Sequence, residues 1–178
     1  MGKRNGNDIF LMRISEIQAC LSAERYLAAL SLALTLPDIC GKAEYPGEYS
    51  ATRYIRWYNH YIGDEEKPKS VYDEDMPYLS GEVVYNFRCS FLHSGNPNID
   101  KAKIKEERCQ VDQFTVELGK SMFSREASVA YGEGMRICYR SCTVNVRQLC
   151  NELCRTAEIY YLENKEKFDF FDYHLTEV

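Results

Sequence analysis

The chain has 178 residues, 45% of them hydrophobic and 28% charged, with a net charge of −5 and a pI of about 5.3. That is the length of one ordinary domain able to bury a sizeable core, and the composition of a folded chain rather than a disordered one. The acidic balance argues against a broad basic face for duplex nucleic acid and leaves room for a small local anion site.

The first predicted element is a long helix over residues 8–36. Ile14, Ile17, Cys20, Leu21, Leu27, Ala28, Leu30 and Leu34 mark its apolar side. Its second half is apolar almost all round, which predicts a central position for the Leu27–Leu36 stretch. The longest apolar run, Tyr26 to Leu36, is about half the roughly 20 residues that a membrane-spanning helix needs. The N-terminus carries no apolar segment directly after its positive start, so no signal peptide is read and the cytoplasm is the expected compartment. Leu36-Pro37-Asp38-Ile39-Cys40-Gly41 is read as the end of this helix, and residues 42–50 as a loop.

A second helix is predicted over residues 51–62, with Ser50 suited to cap it. It carries Arg53, Arg56 and His60 among several aromatics. Interleaved arginines and aromatics can stack bases, so these three are candidate substrate contacts; an ordinary amphipathic helix is the competing reading. Residues 63–75 form an acidic linker, read as a solvated loop rather than a metal site.

The third helix is predicted over residues 77–93, starting at Pro77 or Ser80. Val83, Val84, Phe87, Phe91 and Leu92 recur at helical intervals, and Ser94-Gly95-Asn96-Pro97 stops the helix. Residues 109–118 and 135–144 are rich in β-formers and predict a small antiparallel ribbon, with residues 119–134 a loop between them. Asn145 with Gln148 three residues on reads as an N-cap, opening a last helix over residues 146–164. The alternation of Phe and Asp over residues 168–173 predicts a docked tail. The fold class is therefore mainly α: a helical bundle with a small antiparallel β-ribbon over 109–144 inserted before the last long helix.

Eight cysteines raise the question of metal or disulfides. Cys150 and Cys154 share a helical stripe with Leu149, Leu153 and Ala157, and Cys20 lies on another, where cysteine behaves as a small hydrophobe. Cys138 and Cys142 are four apart without a second pair at zinc spacing. Structural thiols are expected, with no metal and no cofactor. No Gly-rich phosphate loop, HExxH, GxSxG or zinc-deaminase pattern is present.

The chemistry-bearing feature is Arg88 followed five residues later by His93, set in the apolar third helix. A permanently charged fork beside a group that titrates near neutrality is a minimal kit for phosphodiester chemistry. A structural reading stands beside it: Arg88 paired with a neighbouring carboxylate, and His93 favoured by the helix dipole. Five residues turn about 140° around a helix, so the two meet only if the Arg stem reaches across or the helix loosens.

Arg88-Cys89-Ser90-Phe91-Leu92-His93-Ser94-Gly95, with Tyr85 and Phe87 ahead of it, resembles the signature of HEPN domains, an Arg followed by four to six residues and a His. The resemblance implies a helical bundle, usually dimeric, and for many members a metal-independent endoribonuclease of toxin–antitoxin or anti-phage systems. It implies Arg88 and His93 as catalytic residues on RNA, and a homodimer bringing two motifs together. The acidic chain, which cannot rely on long-range attraction to a polyanion, adds the expectation of a single-stranded substrate whose unstacked bases side chains can grip. A protein partner such as an antitoxin is a further expectation. The residue after the Arg, usually polar in the family, is here Cys89; Ser90, Asn86 and Tyr85 are the candidate supporting residues. A catalytically inert HEPN-like module binding a protein partner or a nucleotide is the alternative.

Overall fold

The computed structural model describes residues 6–70, 73–121, 123 and 125–171. The chain is mainly helical, with one three-stranded sheet. The helices are α1 (Gly6–Ser22), α2 (Tyr26–Ala33), α3 (Leu36–Glu44), α4 (Ser50–Tyr58), a single turn α5 (Asp64–Glu66), α6 (Gly81–Ser94) and α7 (Val146–Glu163).

The single helix expected over residues 8–36 is instead broken twice. Glu24 adopts a left-handed conformation (φ 57°) after α1, and Arg25 N–H bonds back to the Cys20 carbonyl at 2.8 Å. Arg147 reaches across from α7 to cover the Leu21 carbonyl at that break, at 3.0 Å. The second break falls at Leu34–Thr35. Pro37 does not end a helix there; it lies in the first turn of α3, where its missing N–H costs nothing. Periodicity over residues 8–36 was continuous enough to hide both turns, because the breaks are only three and two residues long, at 23–25 and 34–35. Ala29, Leu30, Ala33, Leu34 and Leu36 are fully buried, whereas Leu27 is 54% exposed and Ala28 faces solvent, against expectation.

Ser50 is the first residue of α4 rather than its cap, and its hydroxyl donates to Asp38 at 2.9 Å. Tyr54, Trp57 and Tyr58 point inward from α4 and are fully buried. After Tyr58 the helix widens into a π turn, Asn59–Gly63. The Asn59 side chain then accepts a bond from the Gly81 N–H at 2.6 Å, joining this turn to the start of α6. Gly81 has no side-chain alternative here: a Cβ would lie 2.5 Å from the Ile55 carbonyl oxygen.

The sheet has the order β1-β3-β2, with β1 (Gln113–Glu117), β2 (Arg125–Tyr131) and β3 (Ile137–Asn145). β2 runs antiparallel to β3, but β1 runs parallel to it, so the expected antiparallel ribbon is corrected to a mixed sheet. The predicted loop over 119–134 contains β2. Its sequence, Arg-Glu-Ala-Ser-Val-Ala-Tyr, is poor in β-formers and is an edge strand, held by register against β3 rather than by propensity. Cys142 and Val144 of β3 are buried, and the Phe114 ring of β1 packs 5.2 Å from Phe87 of α6.

The acidic linker is not a free loop. Glu66 pairs with Arg125 at the start of β2, and Asp75 accepts from the Tyr131 hydroxyl at its end, at 3.1 Å. The tail docks through Phe168, whose ring lies 5.1 Å from Phe10 and 4.9 Å from Tyr161; Asp172 and Tyr173 lie outside the described residues. Five cysteines (40, 109, 142, 150 and 154) are buried, with burial pushing the Cys142 thiol up to about 12 and the Cys154 thiol to about 11. Cys138, on β3, is exposed.

Candidate functional site

Helix α6 is built to present its C-terminal half. The Ser80 hydroxyl caps it by accepting from the Val83 N–H, and Gly95 ends it in the left-handed conformation (φ 64°). Val83, Val84 and Phe87 bury its inner side. Arg88 follows Phe87 by about 100° and emerges half-buried at the edge of the core.

The surroundings of Arg88 carry no carboxylate at salt-bridge distance among the described residues. Its Nη1 faces the Cys89 Sγ at 3.9 Å, a weak contact to sulfur. Its Nε is buried with no hydrogen-bond partner. Two phenols flank it. Tyr85 lies edge-on to Tyr54, with centroids 5.3 Å apart. Burial pushes the Tyr85 phenol up, and its bond to Cys89 adds to this; Arg88 acts the other way. The Tyr54 hydroxyl is fully buried and donates to the Leu34 carbonyl at 3.1 Å.

The other motif residues are distributed around the helix. His93 is exposed in the last turn, near the negative end of the helix dipole. Asn86 is turned back onto its own helix, donating to the Glu82 carbonyl at 2.9 Å. Ser90 is half-buried. No hydrogen bond among the described residues joins Arg88 to His93; Arg88, Cys89 and Tyr85 form one cluster, and His93 stands apart from it at the helix end.

The base-stacking comb expected on α4 is largely engaged in other contacts. Arg53 grips Asp38 through Nε at 3.0 Å and Nη2 at 2.9 Å. Arg56 pairs with Glu48 and lies over the Tyr45 ring at 4.2 Å. His60 is exposed on the π turn, edge-on to Tyr61. Both arginines already have carboxylate partners, so an incoming phosphate would have to displace them.

A second group of ionisable residues gave no signal in sequence. Glu66, Arg125, Glu152 and Tyr58 come from four elements to one place, α5, β2, α7 and α4. The Glu66–Arg125 pair is largely shielded, with 16% and 20% of the side chains exposed. Glu152 is raised above the ordinary carboxylate range, first by burial and then by the charge of Glu66. Only tertiary folding joins these residues, so no local pattern could mark them.

Among the described residues, no group of three or more His, Cys, Asp or Glu is placed to hold a metal ion, and no helix is long and apolar enough to cross a membrane. No protein-family model, curated protein or solved structure matches this chain.

Proposed function

We propose that the chain is a HEPN-like, metal-independent endoribonuclease that acts as a homodimer on single-stranded RNA. The observation that carries this reading is the state of Arg88: half-buried and, among the described residues, without a carboxylate partner and with one buried N–H donor unpaired. Leaving such a donor unmatched is costly, and a phosphate oxygen is a ligand that would satisfy it with a charge-assisted bond. Arg53 and Arg125 are engaged with carboxylates. Arg13 and Arg147 share a buried unpaired Nε with Arg88 but donate through their other nitrogens to Thr35, the Leu21 carbonyl and Tyr26, oxygen partners that Arg88 lacks among the described residues.

The chemistry follows from RNA itself. A neutral His93 takes the proton of the 2′-hydroxyl, whose oxygen attacks the adjacent phosphorus. The bond to the 5′-oxygen breaks, and that oxygen leaves after gaining a proton from a protonated histidine, in the dimer the second copy's His93. Products are a 2′,3′-cyclic phosphate and a 5′-hydroxyl, with no water consumed. Arg88 stabilises the charge that builds on the phosphoryl oxygens. A two-fold dimer is part of the proposal because one chain supplies a single Arg–His pair, and a C2 interface presents the same patch twice.

A second reading is favoured by the separation of His93 from the Arg88 cluster. In it the domain is a HEPN-like module without catalysis that binds a protein partner or a nucleotide through Arg88. The deciding experiment is incubation of the purified chain with structured and unstructured RNA in EDTA, beside an Arg88→Ala, His93→Ala double variant. Cleavage by the wild type alone supports the enzyme. Intact RNA under conditions where the protein is dimeric leaves the binding module.

A further inference from the structure

Two depressions meet at Arg155 on the outer side of α7. One, of about 260 Å³, is lined by Gln148, Asn151, Glu152 and Arg155. The other, also of about 260 Å³, continues past Arg155 between Tyr61, Thr156, Ile159, Tyr160 and the carboxylate of Glu163. Together they form one trough with a polar end and an aromatic and aliphatic end.

Three charged residues line the trough, Glu152, Arg155 and Glu163, and no ion pair among the described residues joins any two of them. Glu152 and Arg155 are three residues apart on one helix, hence neighbours on its surface, yet no salt bridge closes between them. Arg155 is exposed and pairs with no carboxylate among the described residues. Glu152 is half-buried, and the nearby Arg125 is already committed to Glu66. Under it, the Tyr58 hydroxyl is fully buried without a hydrogen-bond partner, and Glu152 is the charge that acts on it most strongly. The neighbouring amides are engaged elsewhere: Gln148 donates to the Ser121 carbonyl at 2.9 Å and Asn151 accepts from Gln18 at 3.4 Å. Beyond Arg155, Ile159 is 50% exposed beside the Tyr61 ring.

We infer that this trough is a binding site for a free α-amino acid with an apolar side chain. The ligand carboxylate meets the Arg155 fork, its ammonium meets Glu152, and its side chain lies between Tyr61 and Ile159. A ligand of one sign would answer either Arg155 or the carboxylates beside it; a zwitterion answers both, and Glu152, the half-buried one, is the carboxylate the ammonium meets. The apolar end gives the side chain a surface to cover, so glycine gains less than leucine. This inference is independent of the RNA chemistry proposed for Arg88.

The test is calorimetric titration of the full chain with L-leucine, leucinamide, N-acetyl-leucine and glycine, up to about 10 mM, the range of weak small-ligand affinities. Leucine is expected to bind, with each of the other three at least about tenfold weaker, a difference of about 1.4 kcal/mol. Arg155→Ala, at an exposed position, and Glu152→Gln are each expected to weaken leucine by at least tenfold while circular dichroism stays unchanged. Absence of leucine binding overturns the inference. So does leucine affinity that survives Arg155→Ala, or leucinamide binding as tightly as leucine. Should Glu152→Gln fail to fold, the Arg155 variant and the ligand series decide alone.

Discussion

Arg125 holds Glu66 twice, pairing with its carboxylate and donating to its backbone carbonyl at 3.2 Å. The contact fixes the end of the α4–α5 rod against the first residue of β2, and it is largely shielded from water. Removing one member of such a pair leaves the other charge stranded. Arg125→Ala is therefore expected to destabilise the fold by about 3 kcal/mol, at the low end for buried pairs because both side chains retain some exposure. Replacing both residues with apolar ones of similar size should cost less. Urea unfolding of the single and double variants checks this; equal losses in both would contradict it.

The neighbouring Glu152 predicts the opposite sign. Burial, then Glu66, raises its proton affinity in the folded state, while Arg155 and Arg125 pull it down and Tyr58 lies beneath it. A carboxyl with a raised folded value contributes stability below its unfolded value of about 4.3 and loses it as pH climbs through the folded value. Glu152→Gln should thus raise the melting temperature at pH 7 by a few degrees, and the gap to wild type should close near pH 4. Melting curves of both proteins between pH 4 and 8 give the difference directly. A variant less stable than wild type at pH 7 would refute the argument.

Glycine positions on α6 separate crowding from conformation. Gly81→Ala places a methyl 2.5 Å from a backbone oxygen and 2.9 Å from the Ile55 Cα, so α4 and α6 must move apart. A loss of about 2–3 kcal/mol is expected, in the range of overpacked interiors. Gly95 has φ 64° and open space around it, so Ala there costs about 1 kcal/mol, for the left-handed backbone alone. Thermal denaturation should rank the two in that order.

For the proposed ribonuclease, His93→Ala and Arg88→Ala should each lower cleavage at least about 100-fold, the scale of one general acid–base group or one charge-stabilising donor. His93 is exposed and Arg88 forms no ion pair among the described residues, so melting temperatures should stay within a few degrees of wild type. Unfolding of either variant would point to a structural role instead.

Local stereochemistry was the legible part of this fold. Ser80, Gly95 and the Asn145–Gln148 pair marked helix ends that the structure uses, the last with Asn145 accepting from the Gln148 N–H at 3.1 Å. What escaped depends on partners distant in sequence. β2 exists because β3 offers it a register, and β1 runs parallel to β3 because the intervening chain crosses over. The turn at Glu24 asks a non-glycine residue to adopt positive φ, which no pattern in Ser22–Arg25 announces. At the site, the position of Arg88 on a half-buried helix was readable, but its lack of a carboxylate was not, since only the assembled neighbours decide that.

The π turn at Asn59–Gly63 acts as a phase shifter. A wider turn takes up an additional residue, and each residue of an α-helix is worth about 100° of rotation. Everything after Gly63 is thereby dialled round relative to α4, which aims Glu66 at Arg125 while Asn59 remains free to clasp the first N–H of α6. A single-residue deletion within this turn would restore a regular helix and point Glu66 away from the sheet. The tie between this end of the α4–α5 rod and the sheet thus hangs on one residue's worth of screw.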